Sequence, residues 1–206
     1  AAVLQGDAPA SLLATYDSER SEAADENLGH STRSTDFIAP QSPSERGLRD
    51  AALALARKHD FAKRMVNSGR LSAPTAYRAS PLSTPDTQTW ETGPAPGAPI
   101  PDARLKSADG RDCFLSECLG SGFALLMRGG EPKEVPPGVV PVCIGANGYF
   151  DRFGEVSSRF ALEPGRAYLV RPDGHVAARF TAWKRADIEE AVRKANGHRT
   201  SLGGAA

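Results

Sequence analysis

Apolar residues recur at helical intervals along the first third of the chain, and in short runs between turn residues along its last half. Residues 1–6, AAVLQG, have helical composition with a glycine where a C′ residue would end the helix, and they read as the tail of a helix that begins before Ala1. Asp7 offers an N-cap and Pro9 lies near the first turn, so a long helix is expected from there to about Thr35. Its apolar stripe, Leu12, Leu13, Tyr16, Ala23, Ala24 and Leu28, is thin, and a stripe this thin needs a larger body to pack against. Ser42-Pro43-Ser44-Glu45 is a capping box with proline at N1. It predicts a helix to about Val66 that buries Leu48, Ala52, Leu55, His59 or Ala62, and Val66, and stops at Asn67-Ser68-Gly69. His59 falls near the apolar face with no serine, cysteine or carboxylate constellation beside it, so it reads as a packed, hydrogen-bonded histidine.

Residues 70–99 hold six prolines among many serines and threonines, which predicts a linker with at most one edge strand near Tyr77–Leu82 and a domain boundary close to Gly93. Beyond it the texture changes to strands and turns. Strand-forming runs occupy Ala103–Leu105, Phe123–Met127 and Val139–Ile144, with a turn at Asp109-Gly110, and Ser116 caps a brief helix to Leu119. Asp151–Phe160 is helical or irregular, Arg185–Ala195 is a closing helix, and Gly165–Phe180 is a hairpin around Pro172-Asp173-Gly174, where proline fixes φ and glycine accepts a positive one. Strand, helix, strand, hairpin, helix is the skeleton of a thioredoxin-like α/β fold. The expected organisation is a helical segment with linker over 1–92 and a thioredoxin-like domain over 93–206.

Composition narrows the function classes. Hydrophobic content of 40% is ordinary for a globular protein, and 25 basic residues balance 25 acidic ones, so no global field draws the chain to nucleic acid or an anionic membrane. The local basic excess of Lys184, Arg185, Arg193, Lys194 and Arg199 is interleaved with Asp187, Glu189 and Glu190 and reads as a solvated helix face. Apolar runs of about six residues fall far short of the roughly 20 needed to span a bilayer, and the N-terminus has no signal pattern, which points to a cytoplasmic setting.

Chemistry is sparse. A redox thioredoxin needs a thiolate at the helix N-terminus after a central strand. Here Phe123–Met127 is followed by Arg128-Gly129-Gly130-Glu131-Pro132, without a cysteine. Cys113, Cys118 and Cys143 form no CxxC and have no histidine at metal-ligand spacing, so they read as small, half-buried hydrophobes. The stretch PGAPIPDARLKSADGRDCFLSE is similar to the opening of peroxiredoxins, but their P-x-x-x-T-x-x-C motif is missing. No G-x-G-x-x-G, P-loop, G-x-S-x-G or H-E-x-x-H occurs. The residues therefore name no catalytic, cofactor-binding or metal site.

Three separated pieces resemble the C-terminal part of flavin-dependent aromatic-ring monooxygenases, the group of phenol hydroxylase and 3-(3-hydroxyphenyl)propionate hydroxylase. AAVLQGDAPASLLATYDSER at 1–20 looks like the end of the family's long helix after its second flavin-contacting motif. RMVNSGRLSAPTAYRASPL at 64–82 is similar to the segment that returns from the helices. PGAPIPDARL at 96–105 and YLVRPDGHVAAR at 168–179 look like the start and late hairpin of the appended thioredoxin-like domain. The resemblance implies FAD, NAD(P)H and dioxygen as the parent family's cofactors and co-substrates. It also implies an N-terminal FAD/substrate domain as missing partner, and a homodimer-supporting role for this part. The family's flavin motifs would all lie before residue 1, so no cofactor residue transfers and the isolated chain is expected to be inactive and flavin-free. The alternative is a free-standing, non-enzymatic thioredoxin-like interaction module with the helices as a docking arm.

Overall fold

A computed structural model describes residues 2–66, 74–129, 132–145 and 148–198. The expected helix stop at Asn67-Ser68-Gly69, the Gly130-Glu131 pair and Arg199 lie outside them. The chain divides into two compact units, one of residues 1–19 with 76–206 and one of residues 20–75.

In the first unit, α1 (Ala2–Gln5) ends at Gly6 with φ of 83°, as the composition predicts. The long helix, α2 (Leu12–Ile38), starts later than Asp7 suggests. Residues 7–11 form turns instead, with the Pro9 and Ala10 carbonyls accepting from Leu12 and Leu13. A four-stranded sheet follows, built from β3 (Phe123–Arg128), β4 (Val139–Ile144), β5 (Ala167–Val170) and β6 (Val176–Phe180) in the order β4-β3-β5-β6. β3 runs parallel to β4 and antiparallel to β5, and β5 pairs antiparallel with β6. A separate antiparallel pair joins β1 (Arg104–Lys106) to β2 (Asp112–Phe114).

The central strands read as continuous apolar runs because both sheet faces are covered. On one face Ala124, Leu126, Val142, Tyr168 and Val170 pack with Leu115 of α5 (Leu115–Cys118) and with Val156 and Phe160 of α6 (Glu155–Phe160). On the other, Leu125, Met127, Ala167 and Leu169 meet Ile188, Ala191 and Ala195 of α7 (Arg185–Ala195). The strand order and directions are compatible with a thioredoxin-like arrangement. Between the parallel strands β3 and β4, where a crossover helix would stand, the described residues form only a 3₁₀ turn at Pro132–Glu134.

The proline-rich stretch departs from a linker. Residues 76–98 belong to the sheet-containing unit. Gly97 N–H donates to the Val176 carbonyl, Val176 N–H to the Ala98 carbonyl, and Thr84 N–H to the Ala177 carbonyl. These bonds satisfy the open edge of β6, which an exposed strand would otherwise present to other chains. Tyr77 and Leu82 are buried, and Tyr77 and Ser80 sit in turns where the sequence suggests an edge strand. Ser116 is not the N-cap of α5: the carboxylate of Glu117 accepts from Phe114 N–H, while the Ser116 hydroxyl donates to Asp102.

In the second unit the Ser42–Glu45 capping box forms in both directions at the start of α3 (Pro43–Ala56). The expected single helix to Val66 is cut at Arg57–His59 and resumes as α4 (Asp60–Val66). Asp60 favours a helix N-terminus over a helix interior, which suits a fresh start there. His59 is exposed in this break, 5.7 Å from the Phe61 ring, rather than packed and buried. Leu48 and Leu55 are also exposed, so the stripe of α3 is real but uncovered within this unit; Ala62 is buried.

Candidate functional site

The hairpin carries the most ordered polar arrangement among the described residues. Its turn closes with Arg171 N–H on the His175 carbonyl at 2.8 Å, and Gly174 takes φ of 81° as a turn of this kind requires. The Arg171 side chain then reaches inward. Its guanidinium donates to both oxygens of Glu19, at 2.8 and 2.9 Å, and to Asp173 at 2.6 Å. Ser80 donates to the same Glu19 carboxylate at 2.6 Å. His175 stacks on Tyr77 with ring centroids 4.7 Å apart and brings Nδ1 to 3.4 Å from Asp173.

The electrostatics follow from this geometry. Burial works against the charged form of Glu19, but hydrogen bonds from Arg171 and Ser80 outweigh it and hold its pKa below the ordinary carboxylate value. For Asp173 burial is likewise overcome, by His175 and Arg171, and its pKa lies far below normal. The Arg171 guanidinium is raised despite its own burial because Glu19 and Asp173 face it. Arg171 and Glu19 are buried and paired while Asp173 stays partly exposed, and together they form a clasp joining the first turns of α2 to the hairpin.

A second arrangement lies at the β1–β2 pair and α5. Cys113 on β2 and Cys118 at the end of α5 place their Sγ atoms 3.9 Å apart. Two cavities of about 280 and 360 Å³ open beside them; Arg104 and Phe153 line the first, Arg111 and Tyr149 the second, and Cys113 lines both. Burial pushes the Cys118 thiol up to about 11 against the opposing hydrogen bond from Tyr149. All three cysteines are half-buried and in the thiol form.

Arg128 ends β3, and its guanidinium donates to Ser157 Oγ at 2.9 Å and to the Leu162 carbonyl. Among the described residues no group of three or more histidine, cysteine or carboxylate side chains could hold a metal ion. The linings of these two cavities contain no glycine. The clasp was not legible in the sequence: Glu19 and Arg171 are 152 positions apart, and no local spacing announces their meeting.

The described residues of the first unit form an α/β sheet module with both faces of the sheet covered. The family model described as aromatic-ring hydroxylase, C-terminal, matches residues 93–198, and the chain belongs to that family. The 3-(3-hydroxy-phenyl)propionate/3-hydroxycinnamic acid hydroxylase of Mycobacterium sp. (strain JLS) is 31% identical to it over 160 residues, 78% of this chain and 26% of that protein. The enzyme of the same description from Mycobacterium sp. (strain KMS) is 30% identical over the same length. Among solved structures, the flavin-dependent monooxygenase PieE, in complex with FAD and substrate, is similar with a TM-score of 0.71 at 23% identity, over 96% of this chain and 42% of that one. The rebeccamycin biosynthetic enzyme RebC with reduced flavin has a TM-score of 0.62 at 26% identity, over 96% and 39%. The chain thus spans about a quarter of the length of the curated relatives it matches.

Proposed function

We propose that the chain is the C-terminal part of an FAD-dependent monooxygenase that hydroxylates an aromatic substrate, phenolic or polyketide-type, with NAD(P)H and dioxygen. Its own contribution is structure and assembly. The observation that carries this reading is the 160-residue match to hydroxylases whose remaining three quarters lie outside it. The partner is an N-terminal FAD/substrate domain, with a homodimer as the assembled form in the cytoplasm. The family model begins at residue 93, which supports a sheet domain over 93–206 after a remnant over 1–92, and residues 1–19 and 76–92 of that remnant pack into the sheet unit. No described helix is long and apolar enough to cross a membrane.

Uncovered apolar residues support the same reading. Leu13 and Tyr16 on α2 are 63% and 68% exposed, and Leu48 on α3 is 72% exposed. Isolated exposed leucines are ordinary, but a helical run of them beside an otherwise well-filled sheet core suits a surface covered in a larger protein. The flavin site is assigned to that larger part, where the parent family's flavin motifs would lie.

The test is a flavin titration of the isolated 206-residue chain followed by flavin fluorescence. Unquenched FAD at protein concentrations that saturate a flavoprotein is the expected outcome. A yellow preparation that retains FAD through gel filtration would overturn the proposal that this part brings no flavin site.

A further inference from the structure

Cys113 and Cys118 are not explained by packing alone. Their Sγ atoms are 3.9 Å apart beside a 360 Å³ cavity that contains both, with Ser107, Arg111 and Tyr149 around it. Each thiol donates weakly to a backbone carbonyl, Cys113 to Leu105 at 3.8 Å and Cys118 to Phe114 at 3.3 Å. A metal is a poor occupant, since of the two lining carboxylates Glu117 already accepts from Phe114 N–H and Asp112 pairs with Lys106. A pair of adjacent thiols open to small molecules, on a three-residue strand and a four-residue helix, has instead the makings of a dithiol.

We propose that Cys113 and Cys118 form a reversible disulfide by exchange with a small-molecule disulfide of the glutathione class. Cys113, which lines both cavities, attacks first as its thiolate: its sulfur bonds to one glutathione sulfur and the other leaves as a thiolate that takes a proton. Cys118 then loses its proton and attacks the Cys113 sulfur of the mixed disulfide, expelling the second glutathione. Two protein thiols are oxidised to one disulfide, and one glutathione disulfide is reduced to two thiols. The high position of the Cys118 thiol assigns it the second, intramolecular step, where proximity compensates for its small thiolate fraction. Closing from 3.9 Å to the roughly 2.0 Å of a disulfide turns the two side chains together and draws Cys118 off the Phe114 carbonyl and off Tyr149. Because the bridged loop is short it removes little chain entropy, so the bond is a reversible one and not a permanent staple.

Peptide mapping of the full chain after incubation with glutathione disulfide, alkylation of residual thiols and digestion tests this. Trypsin places both cysteines in the peptide from Asp112 to Arg128, and cleavage after Glu117 separates them. The expected result is a mass loss of about 2 Da relative to the unalkylated dithiol peptide, two halves that stay joined after cleavage at Glu117, and reversal by dithiothreitol. Cys118→Ser should stop at a glutathione adduct on Cys113, Cys113→Ser should add glutathione much more slowly, and Cys143→Ser should behave as wild type. Wild-type chain whose two halves separate, whether alkylated or carrying glutathione, would overturn the proposal; this readout on the unmutated protein does not depend on the variants folding.

Discussion

Arg171 ties three carboxylate oxygens and two distant stretches of chain together, and its removal should be felt throughout the first unit. Arg171→Met leaves the Glu19 carboxylate buried without its countercharge, which costs about 3 to 5 kcal/mol by the usual penalty for breaking a buried pair. Urea unfolding monitored by Trp fluorescence would read it as a lowered midpoint. Glu19 and Asp173 both have folded pKa values below their unfolded ones. Their stabilisation is therefore full above about pH 5 and is lost as pH falls below about 4 toward the folded values. Stability measured against pH should accordingly drop on the acid side in wild type, and the drop should be shallower in Arg171→Met. The hairpin turn that presents Arg171 was legible, because Pro172-Asp173-Gly174 encodes it locally. Its partner was not, since an ion pair between distant positions leaves no periodic trace.

At the scale of elements, local signals and long-range packing divide the chain. The capping box at Ser42, the strands Phe123–Arg128 and Val139–Ile144 and the helix Arg185–Ala195 follow their sequence signals because proline, Ser/Glu spacing and apolar runs act within a few residues. The proline-rich stretch is different: extended backbone suits a linker and a strap equally, and only the open edge of β6 decides between them. Gly97 is the point of closest approach. It has φ of 83°, and a Cβ there would collide with the Tyr77 backbone, whereas Gly110 has φ of 84° and open space around it. Gly97→Ala should lower stability by about 1 to 3 kcal/mol, and clearly more than Gly110→Ala, in paired thermal melts. Equal losses would mean that the backbone conformation alone matters and that the strap does not sit tightly. The break at Arg57–His59 shows the converse limit, where an unbroken apolar period conceals a helix restart at Asp60.

On the scale of the whole molecule, the two units differ in how much they bury. The sheet unit fills both faces with side chains of negligible exposure, while α2 beyond Glu19, α3 and α4 leave Leu28, Leu48 and Phe61 largely in solvent. Buried hydrogen-bonded amides exchange through larger openings than those of poorly covered helices. Hydrogen exchange should be slow across residues 123–128 and 167–180 and fast across residues 20–66; equal protection would contradict the view that the helical unit waits for a larger body to cover it. The family was legible from the resemblance of separated segments, and the match of the aromatic-ring hydroxylase C-terminal model to residues 93–198 bears that out.

The central proposal is that these 206 residues belong to a longer flavin-dependent hydroxylase. Extending the reading frame that encodes Ala1 upstream tests it most directly. The account predicts an in-frame strand–G-x-G-x-x-G–helix segment several hundred residues before Ala1, as the 26% coverage of the curated relatives implies. An initiator codon immediately before Ala1, with a native protein of matching mass, would contradict it.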